Sequence, residues 1–244
     1  MNKTAIIIPS RLEAVRLANK PLELINNKEM ILHVYEAAKK TNTGEVYVAT
    51  PDQKIIDLIK DVGGKAVLTS LDHQTGTDRV YEVFKNQLKS EPNVIVNLQG
   101  DMPNIDPKAI TNLISYMEEG NCDIGTLASS FSSDEEIADE NNVKVAVKEK
   151  LDNNQFGQAS DFFRTDVKKY KIFYHHVGIY AFTNKALVRY VSLERSKLEL
   201  ERKLEQLRAL ENDMSIHVGY INSSPLSVDT NNDLIEVKKI MEND

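Results

Sequence analysis

Short apolar runs rich in Val, Ile and Ala, each separated from the next by a helix with legible ends, constrain this chain more than any other feature. Residues 5–8, 46–49, 66–68 and 94–97 are such runs, and their composition predicts strands buried on both faces. Thr50-Pro51-Asp52-Gln53 places a hydroxyl N-cap, a proline at the first helical position and Gln three residues after the cap. Ile55, Ile59 and Val62 then recur at helical spacing until Gly63-Gly64 stops the helix. Residues 28–40, with Met30, Ile31, Val34, Tyr35 and Ala38, predict a second helix. A third starts at Asp106-Pro107 and carries Ile110, Leu113, Ile114 and Met117 on one face. Strand–helix–strand alternation with short connections predicts an α/β fold, a mostly parallel sheet flanked by helices.

The second half is less regular. Residues 123–130, 143–147 and 175–182 predict strands, 184–190 a helix, and 148–172 are polar and weakly periodic. Residues 193–210 place Leu193, Leu200, Leu204, Leu207 and Leu210 on one side, which predicts one amphipathic helix with a solvated charged face. A last helix follows Asp229-Thr230, with Leu234, Val237, Lys238 and Met241. No repeat, linker or low-complexity tract interrupts the 244 residues, so the expectation is one continuous domain, 1–244.

Charge narrows the partners. The 30 Lys and Arg against 37 Asp and Glu leave a net charge of −7, which disfavours nucleic acid or an anionic membrane as partner. No apolar run is long enough to span a bilayer, and the N-terminal apolar stretch is cut by Pro9 and Arg11, unlike a signal peptide. A single cysteine, Cys122, excludes an internal disulfide and a thiolate zinc cluster, and it suits a cytoplasmic setting.

In an open parallel sheet, ligands bind outside the carboxyl ends of the strands. The loop after the first strand carries Arg11, Arg16 and Lys20 in an otherwise acidic chain. Such cations suit a triphosphate of about four negative charges, and they equally suit a solvated basic loop. Neither a dinucleotide fingerprint nor a P-loop is present. Gly100-Asp101 after the fourth strand places a carboxylate where a magnesium ligand would face phosphates, or where a turn needs an aspartate. Asp229 is a second ligand for the same ion or the N-cap of the last helix. The loop Asp72-His73-Gln74-Thr75-Gly76-Thr77-Asp78-Arg79 offers groups for a base edge or ribose, with Thr77 equally an N-cap and His73 better suited to a structural role. The histidine spacing forms no zinc motif.

Together these loops resemble the 3-deoxy-D-manno-octulosonate (Kdo) cytidylyltransferases, or CMP-Kdo synthetases. The resemblance runs from Ile6 almost to the C-terminus. It is carried by Pro9-Ser10-Arg11 through Arg16-Leu17 to Lys20-Pro21-Leu22, by the loop from Asp72 to Arg79, and by Val96-Asn97-Leu98-Gln99-Gly100-Asp101-Met102-Pro103. It continues in His176-Val177-Gly178-Ile179-Tyr180, in Leu204-Glu205-Gln206-Leu207-Arg208-Ala209-Leu210-Glu211, and in Ile216-His217-Val218 and Val228-Asp229-Thr230. The resemblance implies a sugar nucleotidyltransferase fold with a projecting dimerisation region, and a homodimer. It implies transfer of CMP from CTP to Kdo with release of pyrophosphate, feeding lipopolysaccharide assembly.

By motif match, Arg11, Arg16 and Lys20 hold the CTP phosphates, while Gln74, Thr75, Gly76 and Arg79 lie in the nucleotide segment. Asp101 and Asp229 ligate Mg2+; with Arg11 and Lys20 they form the expected catalytic set. Gln99, His176, Tyr180, Glu205 and Gln206 line the sugar pocket. Phe162-Phe163-Arg164 looks like the remnant of a Phe-Ser-Arg element, which makes Arg164 the candidate for the sugar carboxylate. The chain departs from the family at Met102, where an acidic residue is usual, at Ala14 and Ala18-Asn19 in the first loop, and at Lys197. Such changes leave room for a related acidic sugar, an 8-amino-Kdo or a nonulosonate. A non-catalytic nucleotide-binding homologue is the further alternative, and retention of Arg11, Lys20, Asp101 and Asp229 argues against it.

Overall fold

The computed structural model describes residues 4–13, 17–120, 122–153 and 155–242. Its elements, in chain order, begin with β1 (Thr4–Pro9), β2 (Leu24–Ile25), β3 (Lys28–Glu29), α1 (Met30–Lys40), β4 (Glu45–Thr50), α2 (Gln53–Asp61) and β5 (Lys65–Leu68). Then come α3 (Gly76–Glu82), β6 (Val94–Asn97), α4 (Pro107–Glu118), β7 (Ile124–Ser129), α5 (Asp134–Ala138), β8 (Lys144–Val147) and β9 (Phe156–Phe163). The chain ends with β10 (Phe173–Thr183), α6 (Asn184–Ser192), α7 (Lys197–Arg202), α8 (Leu207–Glu211), β11 (Ile216–Tyr220) and α9 (Asn231–Met241). They fall into two compact units, Met1–Thr111 with Pro225–Asp244, and Asn112–Ser224.

The first unit holds the parallel sheet expected from the sequence. Its strands run in the order β5-β4-β1-β6, with Ile6 opposite Val46 on one side and Val96 on the other. Ile6, Ile7, Ile8, Val48, Ile95 and Val96 are fully buried, as central strands covered on both faces require. β5 departs from that expectation: it is the edge, and Leu68 at its end is 60% exposed. The helix expected to be capped by Thr50 starts two residues later, because Thr50 Oγ1 instead accepts from Asp52 N–H at 3.1 Å in a local turn. Ile55, Ile56 and Ile59 face the core, whereas Val62 lies outside, and Gly63 at φ +72° ends the helix. Residues 28–29, expected in the first helix, pair instead with β2 as a short hairpin. α9 returns Leu234 and Val237 to a cluster with Ile25, Met30 and Val228.

In the second unit the strands run β10-β7-β11-β9-β8, and β8 also pairs with β10. All of these ladders are antiparallel except β7 with β11. Strand alternation along the sequence does not reveal that switch in direction. β10 bulges between Val177 and Tyr180, so Gly178 and Ile179 have no register partner on β7. β9 was not expected at all. It occupies the stretch without period, where a bulge opposite β8 breaks the two-residue alternation.

The single helix expected over residues 193–210 is two short helices. Lys203, at φ 56°, separates them in a left-handed conformation that no helix continues through. Leu200 is exposed, and the charge run is not wholly solvated: Glu199 and Arg208 are buried.

Candidate active site

The site grows from the carboxyl ends of β1 and β6 in the first unit. A cavity of about 320 Å³ opens there, lined among others by Arg11, Lys20, Gln74, Arg79, Gln99 and Asp101. The basic loop reaches it because Asp52 takes up the Leu12 N–H at 2.8 Å through Oδ2, fixing the start of the loop against α2. Asn19, at φ 54°, then turns the chain into the short helical turn Lys20–Leu22. Lys20 is thereby aimed at the cavity.

Its ammonium is the centre of the site. Lys20 Nζ donates to Asp101 Oδ2 at 2.8 Å and to Asp229 Oδ1 at 3.1 Å, so residues far apart in sequence share one cation. The backbone brings the two segments together, since Val228 N–H donates to the Asp101 carbonyl at 2.9 Å. Burial alone lowers the Lys20 pKa, but the two carboxylates outweigh it and leave it raised. The question left open for Asp229 is answered by its neighbour. Thr230, not Asp229, caps α9: its Oγ1 accepts from Asp233 N–H at 3.3 Å, while Asp233 Oδ2 accepts from the N–H groups of Asp229 and Thr230. Asp229 can then turn its carboxylate to Lys20.

A second capping box builds the loop before α3. Thr75 Oγ1 accepts from Asp78 N–H at 3.2 Å, and Asp78 Oδ2 accepts from Thr75 N–H at 3.1 Å. The cap is therefore Thr75, and Thr77, read from sequence as a possible N-cap, is buried and accepts from Asn97 Nδ2 at 3.2 Å. Gln99 Nε2 donates to Asn97 Oδ1 at 2.9 Å, which fixes its amide beside the cavity. Arg79 lines the cavity but is itself buried, with Nη1 donating to Thr69 Oγ1 and the Ser70 carbonyl. Burial, then the Arg11 charge, lowers its pKa. His73 pairs with Glu82 through Nε2, in keeping with a structural role. Arg16 lies outside the described residues.

The remaining expected residues lie in the second unit. His176 is buried at the bulge of β10, edge-on to Phe162, with Nε2 2.9 Å from Thr126 Oγ1. The Thr126 hydroxyl donates to the Ile179 carbonyl at 2.7 Å, which makes His176 Nε2 the donor of the pair and leaves Nδ1 the acceptor. Burial, then the His175 charge, lowers the His176 pKa to about 3. Tyr180 is 5.5 Å from the His176 ring, centroid to centroid, and burial raises its pKa. Glu205 and the buried Gln206 sit between α7 and α8. Arg164 stands at a separate cavity of this unit, with Nη1 donating to the carbonyls of Glu140 and Asn141 at 3.0 and 2.7 Å. Sequence reasoning passed over Asp52, Asn97 and Thr230, which aim the site's side chains. The spacing Thr-x-x-Asp at 75–78 and 230–233 was the available signal for both caps.

The two carboxylates test well as a magnesium site. They already converge on one cation, and Mg2+ is commonly held by one or two carboxylates together with substrate phosphates. Among the described residues no group of three or more His, Cys, Asp or Glu is placed to hold a metal ion.

A parallel sheet with cations and two converging carboxylates outside its strand ends suits a protein that handles nucleotide phosphates, and the chain's relatives make the class a nucleotidyltransferase. The sequence model of the cytidylyltransferase family matches residues 5–216. The chain is 41% identical over 240 residues to the 3-deoxy-manno-octulosonate cytidylyltransferase of Rickettsia bellii, covering 98% of this chain and 96% of the relative. With the enzyme of that name from Bartonella henselae it shares 39% over 239 residues, 97% of both chains. A solved structure of CMP:2-keto-3-deoxy-manno-octonic acid synthetase complexed with CTP superimposes with a TM-score of 0.88 at 35% identity, covering 99% of both chains. The chain belongs to the 3-deoxy-manno-octulosonate cytidylyltransferase family.

Proposed function

We propose that this protein transfers CMP from CTP to the anomeric hydroxyl of 3-deoxy-D-manno-octulosonate, giving CMP-Kdo and pyrophosphate. The observation that carries the reading is the meeting of Asp101 and Asp229 on the Lys20 ammonium, within a cavity that also presents Arg11. In the reaction, the sugar oxygen bonds to the α-phosphorus, the α–β phosphoanhydride bond breaks with its electron pair leaving on pyrophosphate, and the hydroxyl proton passes to solvent. Charge accumulates on phosphate oxygens, so the work of the protein is positioning and electrostatic stabilisation.

Arg11 and Lys20 take the triphosphate, the guanidinium as a two-pronged donor and the ammonium as a point charge. The resemblance assigns Arg16 to the same task. Asp101 and Asp229 would hold Mg2+, which when bound would offset the charge of the triphosphate and acidify the attacking hydroxyl. Lys20 then exchanges carboxylates for phosphate. Gln74, Thr75 and Gly76 form the wall offered to the nucleoside. Both Thr75 capping groups are engaged within the loop, so Thr75 acts by holding its shape. Arg79 braces the same wall through Thr69 and Ser70. The sugar is assigned to Gln99, His176, Tyr180, Glu205 and Gln206, with Arg164 for its carboxylate. His176, neutral above about pH 3, serves as a hydrogen-bonding group and not as a base.

The reading carries with it a cytoplasmic enzyme of lipopolysaccharide synthesis that works as a homodimer. Among the described residues no helix is long and apolar enough to cross a membrane. The test is pyrophosphate release from CTP and Mg2+ with 3-deoxy-manno-octulosonate, its 8-amino form and a nonulosonate at equal concentration. Fastest turnover with the first supports the reading, preference for another moves the substrate, and no turnover with any overturns it. Light scattering on the eluting protein decides the dimer.

A further inference from the structure

We infer that Tyr190 is a positioning residue for the sugar side of this reaction: its phenol holds Glu205 in place, and a buried Arg208–Glu199 pair holds its ring. The inference rests on the proposed function, in which Glu205 meets the acidic sugar. Tyr190 lies on the inner face of α6, 2% exposed. Its hydroxyl donates to the Glu205 carbonyl at 2.8 Å and lies 3.2 Å from Glu205 Oε1, so its one proton, held mainly by the carbonyl, fixes the backbone of that residue and sets the phenol beside its carboxylate. Glu205 lies in the break between α7 and α8, two residues after the left-handed Lys203, in a turn where its carbonyl also accepts from the Arg208 N–H at 3.2 Å.

The ring is fixed in turn. The Arg208 guanidinium stands 4.7 Å from its centroid, in cation–π range. Arg208 meets Glu199 in a fork, Nε to Oε2 at 2.8 Å and Nη2 to Oε1 at 2.7 Å. Arg195 Nε at 2.9 Å and the Ser196 N–H at 3.1 Å complete the Glu199 carboxylate, which has no exposure. A buried ion pair of this kind adds little to stability over well-packed apolar side chains. What it supplies is direction: two charged planes and one ring, each with a single arrangement. Burial pushes the Tyr190 pKa far up, and the Glu205 charge adds to it, so the phenol remains a donor at every working pH.

The experiment uses the full chain with CTP, Mg2+ and 3-deoxy-manno-octulosonate. Tyr190→Phe removes one oxygen and keeps the ring. The expected result is a sugar KM raised about five- to tenfold, with the CTP KM moved less than about twofold, as loss of one hydrogen bond to a charged partner gives. On a Glu205→Ala background the same change adds less than about twofold, because it acts through a residue already gone. Should Tyr190→Phe fail to fold, Arg208→Lys gives the same readout by keeping the charge and losing the fork. Equal rises in both KM values, or effects of Tyr190→Phe and Glu205→Ala that multiply, overturn the inference. So does an unchanged sugar KM in Glu205→Ala beside an active wild type, which leaves the proposed function standing. Absence of turnover by the wild type with any acidic sugar overturns the proposed function and this inference with it.

Discussion

At the scale of single residues, the account turns on Lys20. In the free protein its ammonium occupies the meeting point of Asp101 and Asp229, which is the position proposed for the metal. A metal held by the same two carboxylates would compete with that ammonium. Lys20→Met is expected to tighten Mn2+ binding to the nucleotide-free protein by about tenfold, because a like charge leaves the site. Titration followed by electron paramagnetic resonance measures this; affinity unchanged or weaker than wild type contradicts it. The raised Lys20 pKa gives the sign of its pH dependence. The lysine's own contribution to stability is present below pH 10.5, its ordinary value, and is lost as pH rises through the raised folded-state value, so Lys20 stays charged across neutral pH. Cys122 is the opposite case, a group the mechanism does not use. Burial pushes its thiol up to about 12, and it donates to the Ile124 carbonyl at 3.2 Å. It is expected to resist alkylation at pH 8 in the native protein and to label fully in urea. Rapid native labelling contradicts its burial.

At the scale of elements, caps and bends place the chemistry. Thr230→Ala is expected to cost about 1 kcal/mol by loss of the α9 cap, and to reduce turnover more than stability because Asp229 loses its frame. Urea unfolding and pyrophosphate release together check it. Arg208→Met breaks a buried pair and is expected to cost about 3–5 kcal/mol. Burial raises the Glu199 pKa, but bonds from Arg208 and Arg195 outweigh it and leave it lowered. Its contribution is thus present above pH 4.5 and lost as pH falls through the folded value. Legibility followed the same physics. The central strands were readable because burial on both faces imposes unbroken apolar runs, as in β1 and β6. β9 was not, because its bulge and small residues remove the period. The leucines at 193–210 kept a helical spacing, but spacing carries no signal for a left-handed lysine at 203. Asp101 and Asp229 were readable from their positions as possible metal ligands, each with a turn or cap reading beside it, and the resemblance favoured the metal. That Thr230 caps α9 was signalled by Thr-x-x-Asp at 230–233, but that the Asp229 carboxylate then meets Lys20 required the fold.

At the scale of the whole molecule, a parallel first unit carries the residues proposed for the nucleotide, and a largely antiparallel second unit carries most of those proposed for the sugar. Buried His176, with a pKa of about 3, couples the second unit to pH. The unfolded state takes a proton near pH 6.5 that the folded state refuses, so stability declines from there towards pH 3. His176→Gln is expected to flatten that decline by up to about 1.4 kcal/mol per pH unit, seen in urea unfolding at pH 4 to 7. An unchanged slope contradicts the neutral assignment. The central claim is that two distant carboxylates serve one metal in CMP transfer. Pyrophosphate release from CTP, Mg2+ and 3-deoxy-manno-octulosonate by wild type, Asp101→Asn and Asp229→Asn tests it most directly. The account predicts turnover by the wild type and a loss of at least about a hundredfold in each variant with the fold intact. Turnover by either variant at the wild-type rate contradicts it.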